Sequence, residues 1–415
     1  MTNNADMNKE KLNILGINIT TLTRQQILER IDTFLASSKP NFLVTVNPEI
    51  ILQAMRDEEY FVMVNRADLT VPDGAGLTFA AWGLFNHLHR FTGVDLTEAL
   101  LAKAAKENIK VAILLWNKGL TRSNDVVNVL KNKFPKLDFI CQEIGRDENV
   151  NISSEIDSFA PQLVFVALGS PWQEKIIYHQ LLKKDYIKLA IGVGGTFDFI
   201  SGKVVRAPKI MRALGLEWIW RVFHQAKGGR TQRAKRIYNA FFVFVEKYLE
   251  WRFVKPFLYR PNVACLLFKK ENDKYRILLV KRSDWQEPHW QMPQGGRDGM
   301  DVEKAGKREL YEELNTEKFK AVATYKNIYK YKFGERGEEA CYTDHCKKHT
   351  GYKGQIQSLY IGEFLGQDSD IRINYWDHDG WKWVDADDLL NEVHPTRQEG
   401  YKIYLEKFKE VKNNL

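Results

Sequence analysis

The stretch "KVAILLW" at residues 110–116, followed by "SNDVVNVLKNKF" at 123–134, decides the fold of the first half of the chain. The first run is almost continuously apolar, whereas the second spaces its apolar residues along one face of a helix. Strands that are apolar on both faces belong to parallel sheets covered by helices on each side. The two runs therefore predict one strand–helix unit of a mainly parallel sheet.

Four more apolar runs continue this pattern over residues 1 to about 200. They read "FLVTVNP" (42–48), "LTVPDG" (69–74), "LVFVALG" (163–169) and "LAIGVGG" (189–195). Apolar strands that alternate with amphipathic helices predict a Rossmann-like α/β domain, which we assign to residues 1–202. Ligands of such domains bind at the carboxyl ends of the parallel strands, so we expect the site there.

Polar side chains stand at or just after the ends of these strands, where packing alone does not require them. They are Thr45, Asn47, Asp73, Gln173 and Asp198. Turn chemistry explains each of them singly, because Asp before Gly and paired glycines are common in turns. Their combination predicts a binding site at this edge, where Gly192, Gly194 and Gly195 would let a phosphate approach the backbone.

Ordered motifs run through this half of the chain. They read "VTVNPEI", "NRADLTVPDGAGL", "RFTGVDL", "ALGSPWQEK", "GVGGTFDFISGKVVRAP" and "GLEWIWR". On these motifs, residues 12 to about 225 resemble the WecB/TagA/CpsF glycosyltransferase family, glycosyltransferase family 26. The resemblance implies transfer of an N-acetylmannosamine-type sugar from a UDP donor to a polyprenyl-diphosphate-linked sugar at the cytoplasmic membrane face. It implies no cofactor for this half.

The same resemblance implies roles for individual residues. Asp73 would be the base that takes the proton of the acceptor hydroxyl. The positions that would hold the donor or the acceptor are Thr45, Asn47, Arg90, Gln173 and Asp198. Arg206 and Arg221 would contact the departing diphosphate. After Arg221 the chain reads "VFHQAKGGRTQR", whereas the family commonly continues with a turn that contains Glu-Pro.

A basic, aromatic-rich segment follows at residues 203–259, and we expect it to be helical. With Arg260 it holds 14 Lys and Arg against three acids, so it supplies more than the whole net charge of +8. Such a composition favours an anionic membrane surface, since aromatic side chains prefer the membrane interface. Two alternatives remain open: the aromatics pack against the second half, or the charge binds nucleic acid, for which no groove-reading motif is present.

The second half changes pattern near Arg260 and predicts an α+β domain over residues 260–415. Its strand runs include "NVACLLFKK" (262–270), "NDKYRILLVKR" (272–282) and "QIQSLYIGEF" (355–364), and "GYKIYLEKFKEV" (400–411) closes it as a helix. Between them, "RELYEE" places Glu309, Glu312 and Glu313 at i, i+3 and i+4 of a helix. Like charges on one face repel, so we expect them to bind a hard divalent cation.

The region "WQMPQGGRDGMDVEKAGKRELYEELN" (290–315) resembles the box of the Nudix hydrolase superfamily. The resemblance implies Glu309, Glu312 and Glu313 as ligands of magnesium or manganese, with Glu312 and Glu313 also catalytic. Two positions depart from the box. Met300 stands where the leading glutamate is expected, and Asn315 replaces the glycine after the helix, a mild change because Asn tolerates the left-handed conformation.

Within that superfamily, residues 260 to about 410 look like the RNA pyrophosphohydrolase and dinucleoside polyphosphate hydrolase branch. The similarity rests on "RPNVACLLF", "WQMPQGG", "YKGQIQSLYIGEF" and "DGWKWV". It implies that Tyr331 and Lys332 contact phosphate, that Arg282 and Gln294 line the phosphate path, and that Asp377 is a further metal ligand or base. The implied substrate is a nucleotide diphosphate, and the sequence leaves three candidates open: the UDP released by transfer, the UDP-sugar donor, or an unrelated nucleotide signal.

The remaining features bound the cellular context. The four cysteines are too scattered for a disulfide framework, and only Cys341, His345, Cys346 and His349 could form a zinc site, with an exposed polar loop as the alternative. No apolar run is long enough to cross a bilayer, and the N-terminus lacks a secretory signal, so we expect a cytoplasmic protein, peripheral at the inner face of the membrane. A homo-oligomer is an expectation from the transferase resemblance alone.

The preferred hypothesis is a bifunctional enzyme, a sugar transferase fused to a diphosphate hydrolase. Two alternatives stay open from the sequence. In the first, only the second half is catalytic and the first half is a scaffold. In the second, the chain is a non-catalytic adaptor that senses nucleotides at the membrane.

Overall fold

A computed structural model describes residues 10–147, 150–213, 217, 220, 239–283, 290–333, 350–374 and 376–413. The chain divides into two compact units, unit 1 at Met1–Leu249 and unit 2 at Glu250–Leu415. Each unit is described by itself below.

Unit 1 is built on a parallel sheet, as the sequence predicts. A hairpin, β1 (Lys11–Ile14) and β2 (Ile17–Thr20), precedes it. The six strands of the sheet in the described residues are β3 (Asn41–Val46), β4 (Leu69–Pro72), β5 (Val111–Trp116), β6 (Phe139–Ile144), β7 (Leu163–Ala167) and β8 (Leu189–Gly192). Their order is β4-β3-β8-β7-β5-β6, and every neighbouring pair is parallel. The carboxyl ends of all six strands therefore lie at one edge.

Helices follow most of these strands. They are α1 (Arg24–Leu35), α2 (Pro48–Ala54), α3 (Glu58–Asn65), α4 (Ala75–Trp82), α5 (Gly93–Glu107), α6 (Ser123–Lys133), α7 (Ser154–Phe159), α8 (Trp172–His179), α9 (Thr196–Ile200) and α10 (Lys209–Ala213). Several begin at side-chain caps that the sequence carries. Thr23 forms a capping box with Gln26, and Thr92 accepts a hydrogen bond from the Asp95 amide.

The core of unit 1 explains why the strands read as continuous apolar runs. All six residues of β3 are buried, as are the first five of β5. Ile113, Phe165 and Ile191 lie together in a cluster that also takes apolar side chains from α1, α5 and α6. Burial on both faces removes the need for polar alternation in these strands.

Unit 1 ends with a helical stretch taken from the basic, aromatic segment. Residues Asn239–Val243 form a π-helix that leads into α11 (Phe244–Leu249). Phe244 and Tyr248 are buried, and the Tyr248 hydroxyl donates to the Ala80 carbonyl oxygen at 2.7 Å. These two aromatics are thus part of the packing of unit 1 against α4.

Unit 2 has the α+β architecture that the sequence predicts. Two short helical turns, Glu250–Val254 and Lys255–Phe257, precede a mixed seven-stranded sheet in the described residues. Its strands are β9 (Tyr259–Glu271), β10 (Lys274–Arg282), β11 (Trp290–Gln291), β12 (Gln294–Gly296), β13 (Phe319–Lys332), β14 (Gly354–Phe364) and β15 (His378–Asp385). The order is β11-β10-β9-β14-β13, with β12 also on β9 and β15 on β10. Only β14 and β9 pair in parallel among these strands.

Three α-helices complete the described part of unit 2: α12 (Val302–Leu314), α13 (Leu389–Glu392) and α14 (Gln398–Lys412). One apolar cluster joins the sheet to α12 through Ala305, Leu310 and Leu314. A second cluster joins the sheet to α14 through Tyr401, Tyr404 and Phe408. The sheet is therefore covered by α12 on one side and α14 on the other, and α12 carries the three glutamates.

Over the part of the chain that the structure describes, no helix combines the length and the apolarity needed to cross a bilayer.

Candidate functional sites

A cavity of about 430 Å³ opens at the carboxyl edge of the parallel sheet of unit 1. Five of the residues predicted from strand ends line it: Thr45, Asn47, Asp73, Gln173 and Asp198. Gly194 and Gly195 line it as well. The structure thus brings together the side chains that follow β3, β4, β7 and β8, because parallel strands end at the same edge.

Asp73 lies at the centre of this arrangement. Its Oδ2 accepts a hydrogen bond of 3.0 Å from the backbone N–H of Gly93, the first residue of α5. The N-terminus of a helix carries partial positive charge, so it stabilises a carboxylate there. A Cβ on Gly93 would lie 3.4 Å from Asp73 Oδ2, 3.3 Å from Thr196 Oγ1 and 3.7 Å from Thr45 Oγ1. Glycine at this position therefore lets the three oxygens converge.

Three of the other predicted residues make hydrogen bonds that shape the cavity. Thr45 donates to the Gly192 carbonyl oxygen at 3.0 Å, which ties β3 to the end of β8. Asn47 caps α2 by accepting from the Ile50 amide at 3.0 Å. Asp198 Oδ1 accepts from Thr121 Oγ1 at 2.7 Å. Each side chain has a local structural role as well as a place in the cavity wall.

Gln173 fixes two glycine turns at once. Its Oε1 accepts from the amides of Gly169 at 3.1 Å and Gly194 at 2.8 Å. Its Nε2 donates to Glu174 Oε1 at 2.6 Å. The side chain therefore joins the turn after β7 to the turn after β8, on either side of the cavity floor.

Glu174 lies fully buried directly behind those turns. A Cβ on Gly192 would approach Glu174 Oε1 to 2.9 Å, so only glycine fits between them. Burial raises the pKa of Glu174 to about 7, although hydrogen bonds from Gln173, Ser170 and Tyr60 oppose the shift. The sequence analysis missed this residue, because a glutamate within a helix is normally expected on the solvent-exposed face.

The predicted arginines that the structure describes lie behind the cavity wall. Arg90 pairs with Glu217 at 3.0 Å and donates to the Arg212 carbonyl oxygen at 2.8 Å. Arg206 pairs with Asp95 at 2.8 Å and donates to Thr92 Oγ1 at 3.1 Å. Their partners Glu217 and Thr92 line the cavity, whereas the two arginines themselves do not.

The Asp95 carboxylate shows how strongly this wall is paired. Burial raises its pKa, but hydrogen bonds from Thr92 and Arg206 and the positive charge of Arg206 lower the pKa overall. Arg221, the second predicted diphosphate contact, lies outside the described residues.

One cationic side chain that the sequence analysis missed does line the cavity. Arg146 lies 3.6 Å from the centre of the Trp116 ring, in a cation–π contact, and its Nε donates to the Leu168 carbonyl oxygen at 2.6 Å. Both residues follow or end a strand, since Trp116 closes β5 and Arg146 comes two residues after β6. Searching for polar or aromatic side chains at the carboxyl ends of β5 and β6, as was done for the other strands, would have predicted both residues.

In unit 2, α12 turns two of the three predicted glutamates into the fold. Glu309 and Glu313 are buried, whereas the Glu312 side chain is 49% exposed. A Cβ on Gly295 would lie 1.9 Å from Glu309 Oε2, so glycine is needed for the carboxylate to approach β12. Glu313 Oε1 accepts from the backbone N–H of Gln294 at 3.0 Å. The two carboxylates therefore meet consecutive residues of the same short strand.

Arg308 offsets the repulsion among these acids. Its Nη2 donates to Glu309 Oε1 at 2.6 Å and to the Gly296 carbonyl oxygen, its Nη1 reaches Asp298 at 3.0 Å, and its Nε lies 3.7 Å from Glu312 Oε2. Burial, more than the nearby Asp298, raises the pKa of Glu312, and the Arg308 charge opposes this. Burial and the charges of Glu309 and Glu313 together raise the pKa of the neighbouring Cys265 thiol.

Glu313 also meets the predicted ligand Asp377. Ligand atoms of Glu313, Asp377 and His378 lie within 4.8 Å of one another, and His378 was not predicted. Arg282 Nη2 lies 3.9 Å from Asp377 Oδ1, which places this predicted residue beside the cluster. Carboxylate and imidazole donors at this spacing fit one divalent cation. Glu313, Asp377 and His378 would hold it, with Glu309 one helical turn away.

Gln294 and Tyr331, two other predicted residues of unit 2, belong to one partly buried polar network. The Gln294 side chain accepts from Gln357 at 3.0 Å and donates to Gln291 at 3.2 Å. The Tyr331 hydroxyl donates to Gln355 Oε1 at 2.8 Å, and Lys332 is exposed next to it. Arg397 donates both to Gln291 and to the Tyr331 hydroxyl, so it connects the two parts.

The two departures from the Nudix box have clear structural settings. Asn315 ends α12 in the left-handed conformation, with φ 50° and ψ 35°, which confirms that Asn is tolerated there. Met300 packs against the apolar cluster under α12. Its carbonyl oxygen accepts from Arg297 Nε at 3.3 Å and Nη2 at 3.1 Å, and these bonds close the loop. The residues Cys341, His345, Cys346 and His349 lie outside the described part of the chain.

Comparison with known proteins identifies the family of the first half of the chain. Residues 12–255 match the model of the glycosyl transferase WecG/TagA/CpsF family. The chain belongs to this family. An N-acetylglucosaminyldiphosphoundecaprenol N-acetyl-beta-D-mannosaminyltransferase from Staphylococcus aureus strain MRSA252 is 34% identical over 246 residues, which cover 57% of this chain and 93% of the relative. The same enzyme of strain NCTC 8325 / PS 47 matches to the same extent.

The chain also contains a NUDIX domain at residues 258–406. Solved structures similar to the chain include a C. elegans Ap4A hydrolase complex (TM-score 0.28, 19% identity, 38% of this chain and 99% of that chain). An E. coli dihydroneopterin triphosphate pyrophosphohydrolase is similar too (TM-score 0.27, 15% identity, 36% of this chain and 99% of that chain). The NUDIX assignment rests on the family match rather than on these two structures.

Proposed function

We propose that the protein is a bifunctional enzyme. Unit 1 transfers an N-acetylhexosamine of the N-acetylmannosamine type from a UDP donor to a polyprenyl-diphosphate-linked sugar. The NUDIX domain hydrolyses a nucleoside diphosphate-linked substrate with magnesium or manganese. The observation that carries the first part is the placement of Asp73 in the sheet-edge cavity, held by the first amide of α5 and next to Thr45.

The chemistry of transfer fits this placement. A base must take the proton of the acceptor hydroxyl while that oxygen bonds to the donor sugar and the UDP diphosphate leaves. Asp73 is the proposed base. Arg146 is the cation that faces the cavity, and the turns at Gly169 and Gly194, fixed by Gln173, give the diphosphate a close approach to backbone. Arg90 and Arg206 would act by holding Glu217 and Thr92 in the wall.

The transferase proposal is tested with UDP-N-acetylmannosamine and a short-chain polyprenyl-diphosphate N-acetylglucosamine, measuring UDP release and the mass of the lipid product. We expect Asp73→Asn to lower the rate by at least about 100-fold, the lower range for removing a general base. The matched control is Asp185→Asn, because Asp185 is exposed on the surface of the same unit. An Asp73→Asn enzyme with wild-type turnover would sink the assignment of the base.

The hydrolase proposal rests on the acids that α12 and β15 bring together. Carboxylate-bound metal can neutralise a diphosphate and activate water. A panel of nucleotide diphosphates, UDP and UDP-sugars among them, is incubated with magnesium or manganese. We expect cleavage by the wild type and loss of at least about 100-fold in Glu313→Gln, with a smaller loss in the half-exposed Glu312→Gln. No metal-dependent cleavage of any panel member would count against hydrolysis.

We also propose that the protein works at the inner face of the membrane. The proposed acceptor is lipid-linked, and the 203–259 segment is strongly basic. Exposed aromatics lie at the end of α4 and just after it, with Phe79 59%, Trp82 69% and Phe85 95% exposed. Flotation with anionic vesicles tests this. Neutralising Arg233, Lys235 and Arg236 should release the protein, whereas neutralising the exposed Lys118, Lys131 and Lys136 should not. Equal flotation of both variants would argue against the segment as the anchor.

A further inference from the structure

The imidazole of His378 lies among the acids of the NUDIX domain in an unusual way. The side chain is fully buried at the first position of β15. Its Nε2 lies 3.7 Å from Glu313 Oε2 and its Nδ1 lies 3.6 Å from Asp377 Oδ2. Both ring nitrogens therefore face carboxylate oxygens that belong to the predicted metal site.

These two distances are too long for charge-assisted hydrogen bonds, which span about 2.7–2.9 Å. They agree instead with the spacing of ligands around a metal ion. Bonds of about 2.0–2.2 Å to one cation place neighbouring ligand atoms roughly 3.0–3.7 Å apart. Each ring nitrogen is therefore spaced from its neighbouring carboxylate as two ligands of one cation are, and one ligand atom from each of the three residues lies within 4.8 Å of the other two.

The carboxylates are also held so that their second oxygens point to the ring. Glu313 Oε1 is held by the Gln294 amide at 3.0 Å, and Oε2 is the oxygen near His378. Asp377 Oδ1 faces Arg282 at 3.9 Å, and Oδ2 is the oxygen near His378. Two negative oxygens, one from α12 and one from the residue before β15, thus flank the imidazole, each beside a different ring nitrogen.

We propose that His378 is a nitrogen ligand of the divalent cation of the NUDIX domain, so that this centre prefers first-row transition ions such as Mn²⁺ to Mg²⁺. Imidazole is a poor ligand for hard magnesium and a good one for first-row transition metals, while the two carboxylates serve both. This inference deepens the proposed hydrolase function and rests on it.

The competing arrangement is a protonated His378 that bridges the two carboxylates by charge alone. It would leave the metal with oxygen ligands only. The two arrangements differ in whether a histidine nitrogen is bonded to the metal, which pulsed electron paramagnetic resonance of bound Mn²⁺ measures directly.

The experiment uses the full-length protein with one equivalent of Mn²⁺, prepared with natural-abundance and with ¹⁵N-labelled histidine. We expect a ¹⁴N coupling in the first sample that is replaced by a ¹⁵N coupling in the second. His378→Gln should abolish it and lower Mn²⁺ affinity by at least about tenfold, with less than about threefold change in Mg²⁺ affinity. His394→Gln is the matched control in the same unit and should keep both the coupling and the affinity.

Two results would overturn the inference. The first is no histidine nitrogen coupling in the wild type at saturating Mn²⁺, which decides the matter even if His378→Gln does not fold. The second is a coupling that persists in folded His378→Gln or His378→Asn. Nucleotide hydrolysis is measured in parallel on the wild type. Hydrolysis without the nitrogen coupling would contradict His378 as a metal ligand and support the hydrolase function. The coupling without hydrolysis would support His378 as a ligand and contradict the hydrolase function.

Discussion

Glu174 of unit 1 and the α12 residues Glu309 and Glu313 of unit 2 are all buried, and their charge is compensated in different ways. In unit 1, Glu174 is surrounded by the neutral donors Gln173, Ser170 and Tyr60, and its pKa rises to about 7. In unit 2, Glu309 has the Arg308 guanidinium at 2.6 Å, and Glu313 has a backbone amide at 3.0 Å. The neutral donors around Glu174 support turns of the backbone, whereas we propose that the acids of unit 2, with Arg308 and His378 beside them, hold a cation.

The largest effect should come from disturbing the acid cluster of unit 2. Gly295→Ala places a Cβ 1.9 Å from Glu309 Oε2, and Glu309 is buried and tied to Arg308, so the carboxylate must leave its place. We expect nucleotide hydrolysis to fall by at least about 100-fold and the free energy of unfolding to fall by about 1–3 kcal/mol. Initial rates and denaturant unfolding measure the two effects.

Gly380→Ala is the control for that change, because its Cβ would meet only ordinary contacts at 3.6 Å or more. It should leave hydrolysis within about threefold of the wild type. An equal loss of hydrolysis in both variants would show that unit 2 responds to any added methyl group. The position of the Glu309 carboxylate would then not explain the effect of Gly295→Ala.

The second effect concerns Glu174 and the pH dependence of unit 1. Its folded pKa of about 7 lies above that of an unfolded glutamate, so the folded state binds the extra proton between about pH 4.5 and 7. Stability should therefore fall as pH rises through this window, by up to about 3 kcal/mol from this group. Glu174→Gln stays neutral and should remove most of that slope.

Denaturant unfolding at pH 5 and pH 8, monitored with a signal from unit 1, measures how the free energy of unfolding changes with pH. We expect Glu174→Gln to be more stable than the wild type at pH 8 and close to it at pH 5. Glu155→Gln, an exposed glutamate of α7, should reproduce the wild-type slope. If Glu174→Gln keeps the pH dependence of the wild type, the neutral donors do compensate the buried charge of Glu174. The contrast between Glu174 and the α12 glutamates would then disappear.

The strand-end residues of unit 1 could be predicted from the sequence because a parallel sheet collects its carboxyl ends at one edge. Arg90 and Arg206 show the limit of that rule, since long side chains can pair behind a wall with Glu217 and Asp95. No local pattern reveals such partners, which are distant in sequence.

In unit 2 the sequence predicted that Glu309, Glu312 and Glu313 lie on one helix, α12. It did not predict which side of α12 packs on the sheet. Glu309 and Glu313 differ by about 40° around the helix, whereas Glu312 and Glu313 differ by about 100°. Only the packing of α12 on the sheet decides that the first pair is buried and Glu312 exposed. His378 was missed because one histidine beside an aspartate carries no signal until the fold brings Glu313 to it.

The smallest effect is expected from Met300→Glu, which adds the carboxylate of the Nudix box to the acids already present. Met300 packs on the apolar cluster under α12, so a charge there should lower the free energy of unfolding by about 1–2 kcal/mol. The loop is closed by Arg297 through the backbone oxygen of residue 300, which the substitution keeps. Hydrolysis should therefore change by less than about threefold. Met300→Leu, which keeps the apolar contact, should be neutral in both measurements, and a large gain in hydrolysis by Met300→Glu alone would mean that the cluster lacks an acid.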